Sequence, residues 1–97
     1  MQYVIYAYDY TDADALSRRM AVRPAHLAYV RQLKANGQFV MGGALLNDAG
    51  QMIGSMLVLE LESEAQLETY LQEDPYLVEG VWDKDKLDSK PFRPAVV

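Results

Sequence analysis

The chain has 97 residues and a mass of 11.0 kDa, with 51% hydrophobic and 24% charged residues, values that indicate one globular domain over residues 1–97 and exclude a disordered chain. A net charge of −5 without a convincing basic cluster argues against a nucleic-acid partner, because a phosphate backbone would be repelled. No uncharged run approaches the roughly 20 apolar residues of a membrane span. The start MQYVIYAYDY lacks the basic region of a secretory signal, and the absence of Cys removes disulfides and thiolate chemistry, so a reducing cytoplasm is the expected location.

In chain order, Gln2 to Tyr10 is rich in aromatic and β-branched residues and reads as a strand. Thr11 and Asp12 are placed to cap a short helical turn through Met20. Pro24 suits a first helical position, so the main helix is expected from Pro24 to about Ala35, ended by Asn36-Gly37. Gln38–Leu46 and Met52–Leu61 form apolar runs joined by the turn Asn47-Asp48-Ala49-Gly50, which predicts a hairpin. Ser63 with Gln66 makes a capping-box pattern, and Leu67, Tyr70 and Leu71 at helical spacing carry a second helix to Glu73. Asp74-Pro75 ends it, Tyr76–Gly80 reads as another helical turn, and Val81–Phe92 is the last strand. The order β-α-β-β-α-β predicts an α+β, ferredoxin-like fold, an antiparallel sheet with helices on one face. Phe39-Val40-Met41 and Met56-Leu57-Val58-Leu59 are apolar at consecutive positions, which implies burial of both sheet faces and a homodimer through the open one.

Chemistry centres on His26, the single histidine. At about 100° per residue it shares an arc with Tyr29, Val30 and Leu33, so it points to the core or its rim. A first-turn position would add a helix dipole that disfavours imidazolium and leaves a neutral base. The alternative is a packing histidine. Asp74, fixed in the Asp-Pro-Tyr turn, can orient an imidazole, or it can simply bond nearby backbone N–H groups. Arg18, Arg19 and Arg23 precede His26 and suit an anionic substrate, or else are solvated charges paired with acidic residues, the reading that best fits Arg18. Tyr3, Tyr6, Tyr8 and Tyr29 can line an aromatic pocket, although strand tyrosines usually pack. Ser55 and Ser89 lack a nucleophile-elbow context, Gly42-Gly43 lacks the lysine of a phosphate loop, and one His without Cys argues against a transition metal, so no cofactor is expected.

The run Ser17-Arg18-Arg19-Met20-Ala21-Val22-Arg23-Pro24-Ala25-His26-Leu27, then Gly42-Gly43, Asp74-Pro75-Tyr76, Gly80-Val81 and Lys90-Pro91-Phe92, resembles the YciI-like (YCII-related) family over nearly the whole chain. The R-P-A-H-L segment and the D-P-Y turn are its most specific pieces. The resemblance implies a ferredoxin-like fold dimerising through its sheets as a dimeric α+β barrel, with an active site centred on His26 and Asp74 and with Arg23 close by. It also implies similarity to dehydrochlorinase-type enzymes and thus acid–base elimination or isomerisation of small, often cyclic compounds. Gly43 stands where the family often has proline. Two functions therefore remain open: a cofactor-free lyase or isomerase using His26, Asp74 and Arg23 on a small cyclic or anionic compound, and a non-catalytic dimer that binds a small ligand.

Overall fold

The computed structural model describes residues 1–97. Its elements are β1 (Gln2–Asp9), α1 (Ala15–Ala35), β2 (Phe39–Leu46), β3 (Met52–Glu60), α2 (Glu64–Glu73), a short α3 (Pro75–Val78) and β4 (Trp82–Phe92). The strands form one sheet in the order β2-β3-β1-β4, antiparallel at every pairing, which is the ferredoxin-like βαββαβ arrangement.

Strand alternation divides the sheet into two faces. Tyr3, Ile5 and Ala7 of β1 stand opposite Leu59, Leu57 and Ser55 of β3, and this face packs with Leu33, Leu67, Tyr70, Tyr76 and Leu77 in the core beneath the helices. The other face carries Val4, Tyr6 and Tyr8 of β1 with Val58 and Met56 of β3. Tyr6, Tyr8 and Met41 are 40%, 43% and 55% exposed there, so a broad apolar area is uncovered in the single chain.

The structure changes several sequence expectations. Helix α1 is continuous from Ala15 and runs through Pro24 instead of restarting there. Proline forfeits only the bond to the Met20 carbonyl, and both Met20 and Pro24 lie at the solvent side, where water can take that carbonyl. The N-terminal cap also differs: Asp14 occupies the cap position without a side-chain cap bond, while Asp12 accepts from the Asp14 N–H at 3.3 Å and pairs with Arg18. Strand β3 is buried at Leu57 and Leu59 on the helix face and at Val58 on the other, with Met56 half-buried, but β2 is a sheet edge whose residues are mostly exposed, and a register shift between Phe39 and Met41 turns Val40 outward. At α2 the first half of the capping box forms, with the Ser63 side chain accepting from the Gln66 N–H at 3.3 Å, whereas Gln66 reaches back past Ser63 and accepts from the Glu62 N–H at 2.9 Å.

Candidate active site

His26 emerges from α1 into the gap between α1 and the α2–α3 junction and is 8% exposed. Its Nδ1 lies 2.8 Å from Oδ1 of Asp74, a residue with no exposed surface. Asp74 closes α2 and opens α3, where Oδ1 also accepts from the Tyr76 N–H at 2.9 Å. Both readings of this residue therefore hold at once, the backbone cap and the imidazole partner. The hydroxyl of Tyr70 donates to Oδ2 at 2.6 Å. An ionised carboxylate only accepts, so His26 Nδ1 is the donor in this contact, and in a neutral ring of that tautomer the lone pair is on Nε2.

Tyr76 fixes the imidazole from its face, the two rings stacking at 3.9 Å with an interplanar angle of 10°, while Trp82 meets it edge-on at 5.8 Å. His26 lies in the interior of α1, well past its N-terminus, so the first-turn dipole expected from a helix starting at Pro24 does not act on it. Beside His26 lies a cleft of about 90 Å³, lined also by Arg19, Arg23, Gly42, Gly43 and Tyr76. A wider, open groove of about 640 Å³ by Tyr8, Tyr10, Leu16 and Met52 contains no histidine.

The three arginines separate. Arg18 is bound by Asp12 at 2.7 Å and donates to the Gly80 carbonyl, as expected for a surface charge. Arg19 is not the solvated charge that its neighbour is. It is 3% exposed, donates to both oxygens of Asp9 at 2.9 and 3.1 Å and to Ser55 Oγ at 2.9 Å, and lies 4.7 Å from the Tyr76 ring centre. Burial lifts the Asp9 carboxyl above its ordinary range against the pull of Arg19. Arg23 is half-buried and lines the cleft, where its charge, with that of Arg19, partly offsets the upward push of burial on the Tyr76 hydroxyl.

The four tyrosines proposed for an aromatic pocket do not form one. Tyr3 is in the core, Tyr6 and Tyr8 are on the open sheet face, and Tyr29 donates to Glu73 at 2.8 Å. Ser55 is a bridge, accepting from Arg19 and from Trp82 Nε1 at 3.2 Å, and Ser89 lies in β4 opposite Ile5. No group of three His, Asp or Glu side chains is arranged to hold a metal ion. Sequence reasoning passed over Asp9, although a usable signal was present: it follows Tyr3, Ile5 and Ala7 at the alternate positions that face inward. The sequence places Tyr70 at a helical position and Tyr76 in a helical turn and in the D-P-Y motif, but their contacts with Asp74 and His26 depend on how the helices dock.

A YCII-related domain matches residues 1–87. The chain belongs to the YCII-related family. It is 37% identical to protein YciI of Escherichia coli O6:H1 over 99 aligned residues, covering 96% of this chain and 97% of that one. Among solved structures it is similar to 5-chloro-2-hydroxyhydroquinone dehydrochlorinase (TftG) of Burkholderia phenoliruptrix AC1100 in complex with 2,5-dihydroxybenzoquinone, with a TM-score of 0.82, 28% identity and coverage of 98% of this chain and 96% of that one. A dimeric ferredoxin-like protein of unknown function from Jannaschia sp. CCS1 shares the fold alone, at a TM-score of 0.55 and 12% identity over 96% of this chain and 98% of that one.

Proposed function

We propose that this YCII-related protein is a cofactor-free acid–base enzyme, a lyase or isomerase of the dehydrochlorinase type acting on a small cyclic or anionic compound. The observation that carries the reading is the buried His26–Asp74 pair of 2.8 Å at the wall of a cleft that also presents Arg23. Asp74 holds the imidazole as the Nδ1–H tautomer, and Nε2 takes a proton from carbon or hydroxyl next to a carbonyl. Arg23 faces the negative charge that then develops on oxygen, since Arg18 and Arg19 are already engaged by carboxylates. In an elimination the halide leaves with its bonding pair, a double bond forms, and the proton stays on His26 beside Asp74 until water removes it. The similarity to a dehydrochlorinase supports this reaction class.

The same proposal includes a two-fold dimer working in the cytoplasm, the second copy covering Val4, Tyr6, Tyr8, Met41 and Met56. The exposed apolar sheet face supports it, as does the likeness to a protein described as dimeric, and a chain without Cys suits a reducing compartment. Sedimentation at micromolar concentration should give twice 11.0 kDa, and a folded monomer of that single mass refutes the dimer.

Chloride release from 5-chloro-2-hydroxyhydroquinone, the compound in the neighbour's name, tests the chemistry. His26→Gln should slow release by about 10²–10⁴-fold, the usual contribution of a general base. Equal rates in the two proteins refute the base assignment. Binding of this and related compounds with no turnover assigns the chain to the alternative, a non-catalytic ligand-binding dimer.

A further inference from the structure

We propose that Tyr70 is a positioning residue of this site, holding Asp74 in the rotamer that serves His26 and lowering the grip of the His26–Asp74 pair on its proton. The inference rests on the reading of His26 as the base only for its consequence in catalysis. Three donors converge on the Asp74 carboxylate, and they are divided unequally. Oδ1 takes two, His26 Nδ1 at 2.8 Å and the Tyr76 N–H at 2.9 Å, while Oδ2 takes only the Tyr70 hydroxyl, at 2.6 Å. Tyr70 is 2% exposed and Asp74 has no exposed surface, so water does not substitute for that donor.

Tyr70 lies one helical turn before Asp74, on the same face of α2, so the bond is built into the helix that Asp74 terminates. Burial and the adjacent Asp74 charge raise the Tyr70 hydroxyl well above its ordinary value, which keeps it a donor at neutral pH. A donor on Oδ2 withdraws charge from the carboxylate. The remaining oxygen then stabilises an imidazolium less than an unbridged carboxylate would, and His26 gives up its proton more readily after each turnover.

The test uses the single histidine as its own reporter. In Tyr70→Phe the phenyl ring preserves packing and only the hydroxyl is lost. The titratable and charged groups facing His26 are Asp74, Tyr76, Arg19 and Arg23, and these and the Trp82 ring are retained. The midpoint of the His26 ring-proton titration by NMR should rise by about one pH unit, equivalent to about 1.4 kcal/mol. In an Asp74→Asn background the same substitution should move the midpoint by much less, because the hydroxyl acts through the carboxylate. An unchanged midpoint in folded Tyr70→Phe, or an equal shift in both backgrounds, overturns the proposal.

If Tyr70→Phe does not fold, the wild-type protein decides. The Tyr70 ring signals should shift in step with the His26 titration, and their indifference to it overturns the coupling. These readouts need no substrate, so the coupling is confirmed or refuted separately from the enzymatic reading, which chloride release decides.

Discussion

The two members of the His26–Asp74 pair should contribute very differently to stability, and the difference follows from how many partners each leaves behind. In Asp74→Ala three buried donors lose their acceptor at once: His26 Nδ1, the Tyr76 N–H and the Tyr70 hydroxyl. Each stranded donor costs about 1–3 kcal/mol, and allowing for partial relaxation the sum is about 3–6 kcal/mol. That is a large part of the ~5–15 kcal/mol that holds a domain folded. In His26→Leu, Asp74 keeps Tyr70 and Tyr76 as donors, the leucine still packs on the Tyr76 ring, and a buried polar ring is removed. The net loss should be about 1–2 kcal/mol. With a urea dependence of about 1.5 kcal/mol per M, the midpoint should fall by roughly 2–4 M for Asp74→Ala and by about 1 M for His26→Leu. Equal losses, or a larger one for His26→Leu, would mean that the imidazole is the structural keystone, and the reading of His26 as a residue kept for chemistry would fall with it.

Acid titration of stability should expose the buried Asp9–Arg19 pair. Because burial raises the Asp9 carboxyl above 3.8, the folded state holds its proton more tightly than the unfolded chain does, and this group's contribution falls as pH rises from that value through the folded one. The stability of wild type relative to Asp9→Asn should therefore decline with rising pH across that window in parallel urea titrations, and a rising difference would contradict burial as the dominant cause. The two glycines of the cleft should also separate. A Cβ on Gly42 would lie 2.8 Å from the Met56 carbonyl oxygen and 3.2 Å from Leu57 Cα, whereas one on Gly43 meets nothing within 4 Å. Gly42→Ala should cost about 1–3 kcal/mol by urea unfolding and Gly43→Ala less than about 0.5, and the reverse order would contradict the β2–β3 register.

Much of the fold was legible because it is punctuated locally. Asn36-Gly37, Asn47–Gly50, Ser63 with Gln66, and Asp74-Pro75 each mark a boundary through the conformations or caps those residues favour, and the elements lie between them within a residue or two. The residues alone left Asp74 open between a backbone cap and a partner for His26, and the pairing seen in the structure was what the family resemblance implied. What escaped notice depends on magnitudes or on docking. Proline usually ends a helix, but within α1 the loss is one hydrogen bond at the solvent side, while Val22, Tyr29, Val30 and Leu33 pack against or within the core and hold the two halves together. Arg19 and Arg18 are neighbours in sequence, and the helical rotation between them sends one to a buried carboxylate and the other to an exposed one.

The continuity of α1 changes how the imidazole is controlled. With His26 in the helix interior, the backbone dipole contributes little; Asp74 contacts the ring, and Arg19 and Arg23 are the charged side chains that share its cleft. Its geometry is set chiefly by one tripeptide. Asp74 holds the ring edge, Tyr76 covers the face at 3.9 Å, and Pro75 fixes the backbone between them while starting α3. The Asp74 carboxylate that orients the ring also accepts from the Tyr76 N–H, so the edge contact and the face contact are not independent: displacing either residue moves the other. An imidazole held by such a coupled turn is preorganised for the base role proposed above, with Trp82 of β4 as a further contact on the ring, and the docking of α1 against α3 brings it into register with the cleft.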